Sequence, residues 1–197
     1  MWGSSRMHSL PVYHVDSETR INRYIQGTEF LDSTEAGDWL GAGMYFWDNI
    51  ANSKYWWNIK TRNNPTVNYQ VVKVQQTFSD EELLDLTDRD ILARTIQFAD
   101  LLAKKGKGHR NDVTKHMGAL LNALYEVTSE SPELFGFSFS VIKGTGLYRK
   151  SDLRGNDYGL IDTTLSTSPH LTHFMKTIYL FKNDNHEDPK SKMVQDI

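Results

Sequence analysis

The middle of this chain is patterned as helix and both flanks are patterned as strand, an order that few folds accommodate. Ser79-Asp80-Glu81-Glu82 has the form of a capping box, so a helix is expected to start there. A second helix opens at Thr87-Asp88, with Ile91, Leu92, Ile96, Ala99, Leu102 and Ala103 at helical spacing. A third covers 112–128, with Val113, Met117, Leu120, Leu121 and Leu124 turned inward. Ahead of this block, Val12 to Val15 is β-prone, and Ser17 caps a helix that runs to Gln26 and stops at Gly27. Met44 to Trp47 reads as a short buried strand. Asp48 or Asn49 caps a helix ending before Asn63-Asn64-Pro65, and Val67 to Gln75 alternates as a strand. Behind the block, strands are expected over 135–142, 160–165 and 176–182. The layout is β–helix–β, a helical insert over about 79–129, then β again, which is an α+β class.

With 197 residues, one domain is expected over 11–197. Residues 1–10 (MWGSSRMHSL) read as a tag-like leader outside the fold, without the apolar stretch of a signal peptide. No run of 18 apolar residues occurs, so no transmembrane helix is expected and the cytoplasm is the expected location. The chain has no cysteine, which excludes disulfides, a thiol nucleophile, Cys-ligated zinc and iron–sulfur clusters. A net charge of −3 excludes a generally basic nucleic-acid coat. The basic loop 104–110 (KKGKGHR) is still able to grip phosphate, though a run of that length is usually a solvated loop. His170 and His173 lie three apart with no third ligand at sensible spacing, and the same holds for His109 and His116, so no metal is expected.

Four of the five tryptophans lie between residues 39 and 57. In the same stretch, Gly41-Ala42-Gly43 runs into Met44-Tyr45-Phe46-Trp47, and the following helix carries Ser53, Tyr55, Trp56 and Trp57. Glycines beside a strand let a ligand approach the backbone, and aromatic faces beside them suit a flat ring. Tyr13-His14, at the end of the first strand, adds a group able to bond a hydroxyl. Each piece has a bland counterpart: a lone histidine is usually structural, a glycine pair is usually a loop, and tryptophans usually fill a core. Ligand stacking is favoured for Tyr45 and Trp56, and core packing for Trp47 and Trp57, with Trp39 on a flanking loop.

Together, Tyr13-His14, Ile25-Gln26-Gly27, the segment Leu40-Gly41-Ala42-Gly43-Met44-Tyr45-Phe46-Trp47-Asp48 and Ser53-Lys54-Tyr55-Trp56 resemble the NAD-binding half of poly(ADP-ribose)-polymerase-like, His-Tyr-type ADP-ribosyltransferases. The match covers the first third of the chain, and the overall layout looks like small stand-alone bacterial and phage members. The resemblance implies a split antiparallel sheet with a helical insert, and NAD as substrate with no metal. It implies that His14 holds a ribose hydroxyl and that the Val15 backbone meets the nicotinamide amide. Gly43 would admit the ligand, and Tyr45 would stack on the nicotinamide. Ser53 would bond its carboxamide, Trp56 would close the other face, and Asp38 would flank the adenosine. The family often has a Glu at the start of a late strand. Here that strand, Phe174 to Phe181, has no acid, and Lys176, Thr177 or Ile178 occupies the position, with Asp157 and Asp162 as acids elsewhere. Thr177 and Ile178 are therefore the catalytic candidates there, beside His14 and Tyr45.

Three readings stand at this point. The first is a mono-ADP-ribosyltransferase acting on a macromolecule, protein ahead of nucleic acid, as a bacterial or phage toxin or effector. An antitoxin or immunity protein would then be a further partner, and no membrane would be involved. The second is a weak or inactive NAD- or ADP-ribose-binding module. The third is a nucleic-acid-directed transferase using the basic loop. Ser166-Thr167-Ser168 is similar to the Ser-Thr-Ser strand of the Arg-Ser-Glu class of toxin ADP-ribosyltransferases, but it comes late in the chain and no Glu-x-Glu follows. It reads as a loop before the last strand, with Pro169 as punctuation.

Overall fold

The computed structural model describes residues 5–33, 39–104, 117–147 and 175–197. Among them the chain forms a mixed α+β fold around one seven-stranded sheet. In chain order the elements are β1 (Met7–Ser17), α1 (Glu18–Ile25), β2 (Met44–Trp47), α2 (Ile50–Asn63), β3 (Tyr69–Ser79), β4 (Leu83–Asp85), α3 (Arg89–Lys104), α4 (Met117–Glu130), α5 (Pro132–Phe135), β5 (Val141–Leu147), β6 (Met175–Phe181) and β7 (Met193–Gln195). The sheet order is β4-β5-β6-β2-β1-β3-β7. Every neighbouring pair is antiparallel except β4 and β5, which are parallel.

Local chemistry explains the helix boundaries. Ser17 accepts from the Arg20 N–H to start α1, Ile21 and Tyr24 bury its inner face, and Gly27 takes a left-handed φ of 71° just past its end. Asn49 rather than Asp48 caps α2, accepting from the Asn52 N–H at 2.9 Å. The capping box at Ser79–Glu82 does form, with the Glu82 carboxylate taking the Ser79 N–H at 2.8 Å. It closes only a single 3-10 turn over Asp80–Glu82, because Leu83–Asp85 is drawn into the sheet beside β5. The helix expected from that box is absent: pairing with a neighbouring strand outweighs a local cap.

Three further boundaries differ from the sequence expectations. β1 begins at Met7, so Met7 to Leu10 belong to the sheet rather than to a leader; they pair with Gln76 to Ser79. The strand expected over 135–142 begins at Val141, and Pro132–Phe135 is a short helix ended by Gly136 at φ 69°. The strand expected over 160–165, the Ser166-Thr167-Ser168 loop, and Asp157, Asp162, His170 and His173 lie outside the described residues. So do residues 105–116, with His109, His116 and most of the basic loop.

Strand periodicity sorts the core into two clusters. Val12, Met44, Phe46, Val72, Val74, Phe78, Val141 and Phe181 pack with Ile21 and Tyr24 of α1. Val15, Trp47, Val71, Ile142, Ile178 and Leu180 pack with Leu121 and Leu124 of α4 and with Trp56 and Trp57 of α2.

The sheet's weakest seam positions the site. β1 is laddered to β3 along its whole length, from Met7 opposite Ser79 to Ser17 opposite Tyr69. Its other edge meets β2 at a single register pair, Tyr13 opposite Trp47. The four residues of β2 are instead paired fully with β6. A cleft lies at this seam, lined by His14, Val15 and Asp16 of β1 and by Tyr45 and Trp47 of β2.

Candidate functional site

At the seam, backbone pairing gives way to a side chain. His14 Nδ1 lies 2.6 Å from the Tyr45 carbonyl, across the gap between β1 and β2. A carbonyl only accepts, so Nδ1 carries the hydrogen and Nε2 is directed elsewhere. Nε2 is buried, has no hydrogen-bond partner among the described residues, and lies 3.5 Å from Asp16 Oδ2. The imidazole also meets Phe46 edge-on, with ring centroids 5.7 Å apart.

A cleft of about 720 Å³ opens over this histidine. That is within the range of small-molecule sites, roughly 300–1,000 Å³. Val15, Tyr45, Trp47, Trp56 and Ile178 form its apolar walls, and Trp39 stands at its edge, 40% exposed. The Tyr45 hydroxyl donates to the Gly41 carbonyl at 2.7 Å and accepts from the Leu40 N–H at 2.9 Å. With the hydroxyl so held, the ring itself is what Tyr45 offers a ligand. Trp47 and Trp56 contact one another at 6.2 Å with a 53° tilt.

Polar groups complete the lining: Asp16, Arg20, Asp32, Ser33, Lys60 and Lys176. Asp16 is the hub. Its Oδ1 accepts from the Ser17 N–H at 2.7 Å, and its Oδ2 accepts from Arg20 Nη1 at 2.9 Å. Burial acts to raise the Asp16 carboxyl, but His14, Lys60 and the Ser17 N–H outweigh it and hold the group well below the usual carboxylate range. Burial also pushes the Lys60 ammonium below its ordinary value, opposed by Asp16. Lys60 Nζ is pinned to the Val15 carbonyl at 3.0 Å. Arg20 is anchored from behind by Glu29, at 2.7 Å from Nε. Lys176 Nζ sits among rings, 5.2 Å from the Tyr55 centroid, 5.8 Å from Trp47 and 5.9 Å from Trp39.

The depressed Asp16 carboxyl makes stability pH-dependent. Its contribution is fully present above the unfolded value near 3.8 and is lost as pH falls toward the lower folded value. Acid unfolding followed by circular dichroism should therefore show the wild-type chain losing stability more steeply than Asp16→Asn below about pH 4. Parallel curves would mean that Asp16 titrates alike in both states.

Of the residues singled out from the sequence, the structure brings His14, Val15, Tyr45, Trp56 and Ile178 into one cleft. Trp39, Trp47 and Lys176 line it too, whereas Ser53, Gly43, Thr177 and Trp57 do not. Ser53 is fully buried and donates its hydroxyl to the Ile50 carbonyl at 2.8 Å, one turn back in α2. It thus serves the helix and does not line the cleft. Gly43 has its N–H and C=O both taken by Ser33, at 3.0 and 2.9 Å. Its φ is 142°, and a Cβ there would stand 2.7 Å from the Phe181 carbonyl. Gly43 therefore allows close packing against β6 rather than close approach of a ligand. Thr177 is not among the lining residues, whereas Lys176 and Ile178 on either side are, because alternate residues of β6 face opposite ways. Trp47 does more than pack, since it walls the cleft as well. Trp57 does pack, its indole N–H bonding the Tyr69 carbonyl at 2.8 Å. Asp38 lies outside the described residues.

Sequence reasoning misses Asp16, Arg20 and Lys60. Two signals could have found them: the Asp16/Arg20 spacing of four, which suits an ion pair across a helix start, and Lys60 one turn after Trp56 on the same helix. Comparison with known proteins finds no matching family model, no similar curated protein and no similar solved structure.

Proposed function

We propose that this chain is a mono-ADP-ribosyltransferase that cleaves NAD in the cleft at the β1–β2 seam and passes ADP-ribose to a macromolecule, with protein ahead of nucleic acid as acceptor. The observation that carries this reading is His14: Nδ1 is tied to the Tyr45 carbonyl, Nε2 is buried 3.5 Å from Asp16 Oδ2, and the residue lines an aromatic-walled cleft. The single register pair between β1 and β2 is the kind of opening that a split, ADP-ribosyltransferase-like sheet would have. The mixture of aromatic walls with Arg20, Lys60 and Lys176 suits a ligand that has flat rings at its ends and a charged diphosphate between them. A toxin or effector role inside a cytoplasm, with an antitoxin as partner, belongs to the same reading. It is compatible with the described helices, none of which is long and apolar enough to cross a membrane.

In this chemistry the bond between nicotinamide and ribose breaks, and nicotinamide leaves with the electron pair. Positive charge develops on the ribose, and an acceptor oxygen or nitrogen then bonds its anomeric carbon and releases a proton to solvent. His14 Nε2 would orient a ribose hydroxyl, and the faces of Tyr45 and Trp56 would hold the nicotinamide away from water. β6 presents Lys176 to the cleft rather than an acid. The described carboxylates in the lining are Asp16 and Asp32. Asp16 is the buried one and is held ionised, so it is the group assigned to stabilise the developing cation.

The test is nicotinamide release from NAD, run with labelled NAD and with protein, DNA and RNA offered in parallel. Turnover with label on protein is the expected result. Asp16→Asn should lower the rate by about 10²-fold with little change in KM. No release by the wild-type chain, together with a thermal shift on adding NAD, would instead favour a binding module without turnover. The specific observation behind that second reading is the lysine, not an acid, on β6.

A further inference from the structure

A second cavity, of about 340 Å³, lies away from the cleft and is lined by Glu82, Tyr125, Ser140, Asn183, Asn185 and His186 among others. His186 is buried, 7% exposed, and both its ring nitrogens are engaged. Nδ1 lies 3.2 Å from the Thr77 carbonyl and 3.9 Å from Glu82 Oε1. Both of those oxygens are acceptors, so Nδ1 carries the hydrogen and Nε2 presents its lone pair. Ser140 Oγ lies 2.8 Å from Nε2, and in that tautomer the serine hydroxyl must donate. The direction of this hydrogen bond is that of a nucleophile held by its base, with the base oriented by a third group.

The serine is also rigidly placed. It immediately precedes β5, its N–H donates to the Glu82 carbonyl at 3.1 Å, and its carbonyl accepts from the Lys182 N–H at 2.9 Å. His186 is fixed in turn by its own carbonyl, which accepts from the Thr77 N–H at 2.7 Å. Asn183 and Asn185 on the same wall bring amide groups able to meet a developing oxyanion. We infer that Ser140 and His186, with Glu82 behind them, form a second site at which the serine hydroxyl is acylated by small esters or other small acyl or phosphonyl electrophiles. In the step with a fluorophosphonate, Ser140 Oγ bonds phosphorus and fluoride leaves with its electron pair. The hydroxyl proton passes to His186 Nε2 and then to solvent. None of these residues belongs to the NAD cleft, so this inference does not rest on the proposed transferase function.

The experiment is incubation of the full chain with a fluorophosphonate, followed by intact mass and peptide mapping. One adduct per chain, mapped to Ser140, is the expected result. Ser140→Ala should lose it while keeping the wild-type circular dichroism spectrum, and His186→Gln should slow labelling by about 10²-fold or more. No adduct on the wild-type chain, under conditions that fully label a known serine hydrolase, would overturn the inference. So would an adduct at any other residue, or a Ser140→Ala variant whose only change is a lower melting temperature alongside an unlabelled wild type.

Discussion

Replacing His14 with alanine is expected to lower the rate of nicotinamide release by about 10²–10³-fold, the usual consequence of deleting one aligned polar group from a site where charge develops. The loss should fall on kcat more than on KM, since the aromatic walls and the cations of the cleft remain to hold NAD. The substitution also removes the bond from Nδ1 to the Tyr45 carbonyl, a side-chain link across the β1–β2 seam. A modest structural effect is therefore expected too, about 1–2 kcal/mol for a carbonyl left without that partner. In a chain of this size, that is roughly 2–8 °C of melting temperature. The two effects are separable, because at assay temperatures well below the midpoint a loss of that size leaves the variant folded. Equal turnover by wild type and His14→Ala would remove His14 from the site, whatever the melting curves did.

The largest effect on stability is expected far from the cleft. Glu187 and Lys192 form an ion pair at 2.7 Å with side chains only 8% and 4% exposed. The Tyr24 hydroxyl donates to the same carboxylate, and Lys192 Nζ also donates to the Tyr24 carbonyl at 3.0 Å. The ammonium lies 3.8 Å from the centroid of the Tyr24 ring. Burial, reinforced by Glu187, pushes the Tyr24 hydroxyl well above its ordinary value, so it stays a donor at any physiological pH. This cluster ties the C-terminal segment to α1, and so to the core on that face of the sheet. Glu187→Ala strands a buried ammonium and should cost about 3–5 kcal/mol. The melting temperature should fall by roughly 6–20 °C. Glu187→Gln with Lys192→Met should recover much of that loss, because removing both charges relieves the burden of an unpaired one. A drop below about 1 kcal/mol for Glu187→Ala would place the pair in solvent rather than in the interior.

The difference between Ser53 and Trp56 shows how far sequence reading reaches into this site. Both sit on α2, whose cap and stop are legible in Asn49 and Asn63-Asn64-Pro65. Three residues is less than one helical turn, and the two side chains part company: Trp56 turns to the cleft and Ser53 to its own helix backbone. Helical periodicity reports which residues share a face. It does not report which face meets a ligand. The same holds on β6, where alternation groups Lys176 with Ile178 and separates Thr177, but only pairing with β2 and β5 turns the first two toward the cleft.

Local signals therefore determined the helix start at Ser17, a second start at Asp48 or Asn49, and the α+β class. Each of these depends on residues near in sequence or on a pattern repeated along one element. The tertiary structure alone decided the rest. It drew Met7 to Leu10 into the sheet, reduced the capping box at Ser79 to one turn, and gathered Asp16, Arg20, Lys60 and Lys176 around one histidine. The physical reason is common to all three. Strand pairing and desolvation act between residues tens of positions apart, and their free energies exceed those of the short-range preferences that a sequence displays.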